Sequence, residues 1–112
     1  MAKYLFIYRN PSEVTAPPSP EEMQKVLQQW GAWFQKFGAA IVDGGDGLKP
    51  DGRMLKAGGI VSDGPYVEAK EVIGGFTIVQ ADDYDGALVI ARECPLSLAG
   101  RTIEIREFAG YS

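Results

Sequence analysis

Residues 3–9 constrain the fold most strongly, because they predict a β-strand that is apolar on both faces. Side chains alternate across a strand, so one face carries Tyr4, Phe6 and Tyr8 and the other carries Leu5, Ile7 and Arg9. Such a strand has to be covered on both sides. Helices can cover one side, and a second copy of the chain is the simplest cover for the other. The strand therefore predicts a homodimer.

The clearest helix is predicted over residues 19–37. Ser19 is its N-cap, Pro20 its first residue, and Glu22 completes a capping box. Gly38 is expected to end it as a left-handed cap. An apolar stripe at helical spacing comprises Met23, Val26, Leu27, Trp30, Trp33, Phe34 and Phe37. This stripe predicts a helix packed across the sheet.

The remaining pattern predicts an α+β order. Strands are expected over residues 39–43, 75–80 and 102–108, and a hairpin or added strand over residues 53–61. A second helix begins at Asp82 or Asp83 and stops at Pro95. The elements therefore follow the order strand, helix, strand, insert, strand, helix, strand. This is the split β-α-β order of ferredoxin-like folds, which have an antiparallel sheet and two helices on one face. The 112 residues suit one domain, residues 1–112.

Composition excludes several classes of function. A net charge of −4 argues against a nucleic-acid partner. We find no signal peptide and no apolar run long enough to span a membrane, and the one cysteine fits a cytoplasmic protein. Histidine is absent, so acid–base work falls to carboxylates, lysine or tyrosine. Cys94 is expected to be a packed small residue.

The glycine-rich segment 44–47 predicts a bulge and a turn. It lacks the lysine and the hydroxyl residue of a phosphate-binding loop. Asp43, Asp46 and Asp51 lack the later bidentate glutamate of a calcium loop, so no metal is expected. No cofactor is expected either.

Residues 61–76 gather the groups that could carry chemistry. They contain the turn Asp63-Gly64-Pro65, and a double glycine, Gly74-Gly75, that indicates a bulge or a close approach of backbones. Our candidates are Asp63 as general base and Lys70 as the group that stabilises an anionic oxygen. Residues expected to bind substrate are Tyr66, Glu68 and Glu71, with Tyr8 and Arg9 at the end of the first strand. The alternative is a surface turn with solvated salt bridges.

This stretch resembles the DGPF motif of the YCII-related proteins, as Asp63-Gly64-Pro65-Tyr66, Glu68, Lys70-Glu71 and Gly74-Gly75. The resemblance extends over most of the chain. It implies a ferredoxin-like unit that dimerises into an α/β barrel, with a cavity between the sheet and the loops. It also implies that Asp63, Tyr66, Glu68, Lys70 and Glu71 are recurrent site residues. Some relatives are thought to use a histidine–aspartate pair, which this chain lacks.

Three functions are compatible with the sequence. The first is an enzyme that acts on a small aromatic or carbonyl-bearing molecule by cofactor-free proton transfer, as a lyase, isomerase or dehydrochlorinase, in a cleft at the dimer interface. The second is a small-molecule binding or regulatory protein without catalysis, which the missing histidine favours. The third is a structural dimer without a ligand.

Overall fold

The computed structural model describes residues 1–11, 18–64 and 71–111. Its elements are β1 (Ala2–Pro11), α1 (Pro20–Phe37), β2 (Ile41–Gly47), β3 (Gly52–Leu55), β4 (Val61–Gly64), β5 (Glu71–Ala81), α2 (Tyr84–Arg92), α3 (Pro95–Leu98) and β6 (Thr102–Glu107). Among the described helices, none is both long enough and apolar enough to cross a membrane.

Four strands form one antiparallel sheet in the order β2-β5-β1-β6, and β3 and β4 form a separate hairpin. This order confirms the predicted ferredoxin-like α+β fold. Strand β1 lies in the middle and pairs with β5 and with β6. Its register with β5 shifts between Tyr8 and Arg9, so the sheet becomes irregular where β1 approaches its end.

The start of α1 is confirmed in detail. The Ser19 hydroxyl accepts a hydrogen bond from the backbone of Glu22 at 3.2 Å, and the Glu22 carboxylate accepts one from the backbone of Ser19 at 3.4 Å. The predicted left-handed cap at Gly38 is wrong, because its φ is −54°. Tight turns, with hydrogen bonds from Ala40 to Phe37 and from Ile41 to Gly38, carry the chain directly into β2.

Three further boundaries differ from the sequence prediction. Strand β2 runs through the glycines to Gly47 with an irregular register, and Gly45 takes a φ of 73° within that predicted bulge. Strand β5 begins at Glu71 rather than at residue 75 because it continues past the bulge to pair with the end of β1. Pro95 opens α3 instead of only ending the previous helix, since it occupies a first helical position after the extended residue Cys94.

The core lies between one face of the sheet and the helices. Tyr4, Phe6 and Tyr8 are all buried on this face. The helices contribute Trp33 from α1, with Ala87, Ile90 and Ala91 from α2 and Cys94 after it. The indole of Trp33 donates a hydrogen bond to the carbonyl of Ile90 at 2.9 Å, near the end of α2, where carbonyls lack helical partners. One side chain therefore fills the core and caps a helix.

The opposite face of the sheet, which we call the open face, carries apolar and charged side chains together. Leu5 pairs with Ile78 and Ile7 with Phe76, and all four are partly buried. Arg9, Glu104 and Arg106 form an ion-pair network beside them. The described helices pack on the other face, so the aromatic side of β1 is covered within the chain and the Leu5 side is the one left open.

Replacement of Trp33 by alanine should lower the free energy of unfolding by about 3–5 kcal/mol, because it leaves a large cavity between α1 and α2. Trp33→Phe should keep most of the packing and lose about 1–3 kcal/mol through the unpaired Ile90 carbonyl. Urea denaturation measures both. Tyr111→Ala, at a position 98% exposed, is the control and should change little. Equal losses for Trp33→Ala and Tyr111→Ala would contradict this account of the core.

Candidate functional site

A helix–sheet cavity of about 480 Å³ opens between α1 and the glycine-rich ends of β2 and β5. Its lining includes Tyr8 and Asn10 of β1, Leu27, Trp30 and Phe34 of α1, Gly44 to Gly47 of β2, Gly74 to Thr77 of β5, and Leu96. Trp30 and Phe34 form a flat wall, with ring centroids 5.9 Å apart and an interplanar angle of 30°. Leu27 lines the same cavity and is 63% exposed. The cavity is therefore apolar and aromatic, and it is open to solvent.

Behind the wall, a buried chain of hydroxyl groups holds Tyr8 in place. The Thr77 hydroxyl donates to the carbonyl of Gly44 at 3.0 Å, and the Tyr8 hydroxyl lies 2.6 Å from the same Thr77 oxygen. Because the Thr77 proton is already used, Tyr8 donates its own proton to Thr77. The Cys94 thiol, 4.0 Å away, donates to Tyr8. Burial raises the pKa of the Tyr8 phenol, an effect that the Thr77 hydrogen bond partly opposes. Tyr8 is thus a neutral structural donor.

A second cavity, which we call the hairpin cleft, has a volume of about 520 Å³. It lies between the β3–β4 hairpin and the ends of β1 and β5, and its lining includes Arg9, Arg53, Met54, Gly64, Glu71 and Ile73. The sequence prediction placed Arg9 and Glu71 in one site, and the structure brings them to this cleft. Lys49 and Asp51 add further charges to its wall.

A bridging cavity of about 330 Å³ joins the two regions. It shares Asn10, Gly74 and Leu96 with the helix–sheet cavity, and Leu48, Pro50, Val72 and Ile73 with the hairpin cleft. A β-carbon at Gly74 would collide with the side-chain amide of Asn10, and one at Gly75 would lie 2.8 Å from the carbonyl oxygen of Asp46. The predicted close approach of backbones at the double glycine is confirmed, and it occurs where the cavities meet.

Arg9 is held at the mouth of the cleft by a carboxylate. Its guanidinium donates to Glu104 at 2.6 Å, and Arg106 lies 3.3 Å from the other oxygen of Glu104. The hydrogen bond from Arg9, followed by that from Arg106, lowers the pKa of Glu104. The side chains of Arg9 and Glu104 are each 32% exposed, so the pair is reachable by a ligand and fixed in position.

Asp63 lies on β4 opposite Arg53, with 3.5 Å between its carboxylate oxygen and the guanidinium. Its side chain is 91% exposed and is not part of the cleft lining, whereas its neighbour Gly64 is. Tyr66, Glu68 and Lys70 lie outside the described residues. Of the seven predicted site residues, the structure thus brings Arg9 and Glu71 together, places Tyr8 in the helix–sheet cavity, and places Asp63 on the outer side of the hairpin.

Sequence reasoning missed the cavity walls supplied by α1. Trp30, Phe34 and Leu27 belong to a stripe that predicts core, and only Trp33 of the helix is buried. The available signal was the pair of glycine-rich segments, residues 44–47 and 74–75, which remove side chains opposite this stripe. Within the described part of the chain, no group of three or more Cys, Asp or Glu side chains is placed to hold a metal ion.

Comparison with known proteins gives two findings. The family model of the YCII-related domain matches residues 1–109. Among solved structures, the chain is similar to 5-chloro-2-hydroxyhydroquinone dehydrochlorinase from Burkholderia phenoliruptrix AC1100 in complex with 2,5-dihydroxybenzoquinone. The two sequences are 20% identical, the match covers 95% of this chain and 92% of the other, and the TM-score is 0.47. No curated protein matches the chain.

The Arg9–Glu104 pair should make the stability of the protein depend on pH in the acid range. A carboxyl group with a lowered folded pKa stabilises the fold above its unfolded pKa, about 4.3, and loses that contribution as the pH falls through the folded pKa. Glu104→Gln should therefore flatten the fall of melting temperature below about pH 5. Glu21→Gln, at an exposed helix position, is the matched control. Parallel melting curves for Glu104→Gln and the parent would refute the assignment.

Proposed function

The chain belongs to the YCII-related family, and on that premise we propose that it is a small-molecule enzyme working by cofactor-free acid–base chemistry. The substrate class is an aromatic or carbonyl-bearing molecule, and the reaction class is proton transfer of the kind found in lyases, isomerases and dehydrochlorinases. The observation that carries the proposal is the aromatic helix–sheet cavity, which meets a charged cleft at the end of the central strand.

The cavity suits a substrate ring in size and in surface. Its volume of about 480 Å³ lies within the ordinary range for small-molecule sites. Trp30 and Phe34 offer faces and edges on which an aromatic ring can stack. Tyr8 meets Trp30 edge to face, with centroids 5.7 Å apart, and so fixes the wall before a ligand arrives.

The charged groups at the strand ends are suited to the chemistry. Proton abstraction next to a carbonyl or a ring hydroxyl creates an anionic oxygen, which cationic donors stabilise. Arg9 and Arg53 line the hairpin cleft, and Lys70 is proposed for the same task. The chain has no histidine and the Tyr8 proton is committed to Thr77, and both facts favour a carboxylate as the base. Asp63 is proposed for that role, with Glu71 as a binding group.

A homodimer completes the proposal. The open face carries apolar side chains from β1 and β5 beside the Arg9–Glu104–Arg106 network, and this mixture is typical of interfaces between subunits. In a single protomer the Asp63 carboxylate is 91% exposed. A covering subunit would withdraw it from water, and desolvation makes a carboxylate a better base near neutral pH.

Asp63→Asn should lower turnover by about 10²–10⁴-fold with little change in KM, because it removes the proton acceptor and keeps the shape. Phenols and aryl ketones that raise the melting temperature provide the substrate panel. Asp82→Asn is the control, since Asp82 is an exposed aspartate outside both cavities. Full activity of Asp63→Asn would remove Asp63 from the mechanism. A compound that stabilises the protein and is never consumed would instead establish a binding protein.

Ile7→Lys should convert the dimer into a monomer, because it places a charge among the apolar side chains of the open face. Val89→Lys introduces the same charge on α2 at a position 52% exposed and should leave the assembly unchanged. Sedimentation velocity at about 10 μM distinguishes the two states. A parent protein that sediments as a folded monomer would end the dimer proposal, and with it the subunit-interface location of the cleft.

A further inference from the structure

We propose that the β3–β4 hairpin is an arm that docks through its outer face onto a second copy of this chain, so that Asp63 serves the partner's site rather than its own. The role of Asp63 in the partner's site rests on the proposed function, in which this carboxylate is the base.

The two faces of the hairpin differ in burial and in position. Met54, Ser62 and Gly64 are partly buried and alternate with exposed neighbours, and Met54 and Gly64 line the hairpin cleft. The outer face carries the cross-strand pairs Leu55–Val61 and Arg53–Asp63. Arg53 of the outer face still contributes to the cleft lining, whereas Asp63, with 91% of its side chain exposed, does not. The Asp63 carboxylate is therefore not placed in the cleft that its own hairpin encloses.

Among the described strands, those of the hairpin pair only with each other. Its strands, Gly52–Leu55 and Val61–Gly64, pair with each other as a two-stranded sheet separate from the main sheet. The turn is closed by a hydrogen bond of 2.7 Å from the amide of Lys56 to the carbonyl of Ile60. An isolated two-stranded hairpin is marginally stable in water. Leu55, Ile60 and Val61 are nevertheless 74%, 62% and 60% exposed. Clustered exposed apolar side chains mark an interaction surface.

A second copy of the chain fits this surface. The hairpin rises beside the open face, because Arg9 and Ile73 at the strand ends line the same cleft as Met54. Any subunit that covers the open face therefore meets the hairpin as well. Both surfaces combine apolar side chains with an ion pair, Arg53–Asp63 on the hairpin and Arg9–Glu104 on the sheet. A twofold interface brings the same patches together reciprocally, so each subunit would receive the arm of the other.

Two lysine substitutions test the docking without any substrate. Leu55→Lys and Val61→Lys should each raise the dimer dissociation constant at least about 10-fold, measured by sedimentation equilibrium. Leu98→Lys, at a position 68% exposed on α3, is the matched control and should leave the constant unchanged. In the parent protein, hydrogen exchange of the hairpin amides should slow as the concentration rises from about 1 to about 100 μM. The docking proposal would be overturned if the dimer dissociation constant were unchanged in both variants. It would also be overturned if the hydrogen-exchange rates of the hairpin amides did not depend on protein concentration.

Mixed dimers test the exchange of Asp63. Asp63→Asn and Arg9→Gln are each expected to be inactive under the proposed function. If Asp63 acts in the partner's site, a mixed dimer contains one site with both residues intact, and an equal mixture should recover about a quarter of the parent activity. If Asp63 acts within its own chain, no site is intact and nothing is recovered. A mixture that forms dimers without recovery overturns the exchange, whereas the sedimentation result stands even if no substrate is found.

Discussion

The pairing of β1 with two neighbours, while its aromatic face is buried under the helices, supports the rest of the structure. Tyr4 and Phe6 are 1% and 0% exposed in the middle of the sheet. Trp33 packs against this face and also caps α2 through the carbonyl of Ile90, so both long helices are tied to the same strand. The end of β1 is consequently fixed in space. Every cavity that we assign to function is lined by residues of that end.

The strand divides the site because its side chains alternate. Tyr8 points toward the helices and becomes part of a buried hydroxyl chain, whereas Arg9, the next residue, reaches the hairpin cleft. The sequence prediction joined these two residues in one binding site because both lie at the strand end. The alternation that defines a strand separates them by a full sheet thickness. Within the described residues, the cavities adjoin around the bulge, where Gly74 lets the Asn10 side chain pass close to the backbone.

Local signals in the sequence predicted the elements well and their ends less well. Ser19 and Asp83 are caps because each side chain accepts a backbone hydrogen bond within its own turn, which spacing alone reveals. Gly38 and the start of β5 depended on distant partners. The route of the chain into β2 decides the conformation of Gly38, and the far end of β1 decides where β5 begins.

For the site, composition suggested the chemical groups, but the side on which Asp63 projects depends on the hairpin register. Likewise, the stripe of α1 separates into core and cavity wall only when the glycines opposite it are placed.

The proposed function couples chemistry to assembly, because the chain has no histidine to act as the base. In the proposed mechanism, with histidine absent and Tyr8 committed to Thr77, a carboxylate accepts the proton. A carboxylate in water is a weak base, and it becomes a stronger one when it is desolvated. Asp63 stands on an outer face with 91% of its side chain exposed, so the described part of its own subunit does not desolvate it. In the proposed dimer, the partner subunit covers that face. The exposed apolar residues of the hairpin, a unit that is marginally stable alone, would then supply the contact in the proposed dimer.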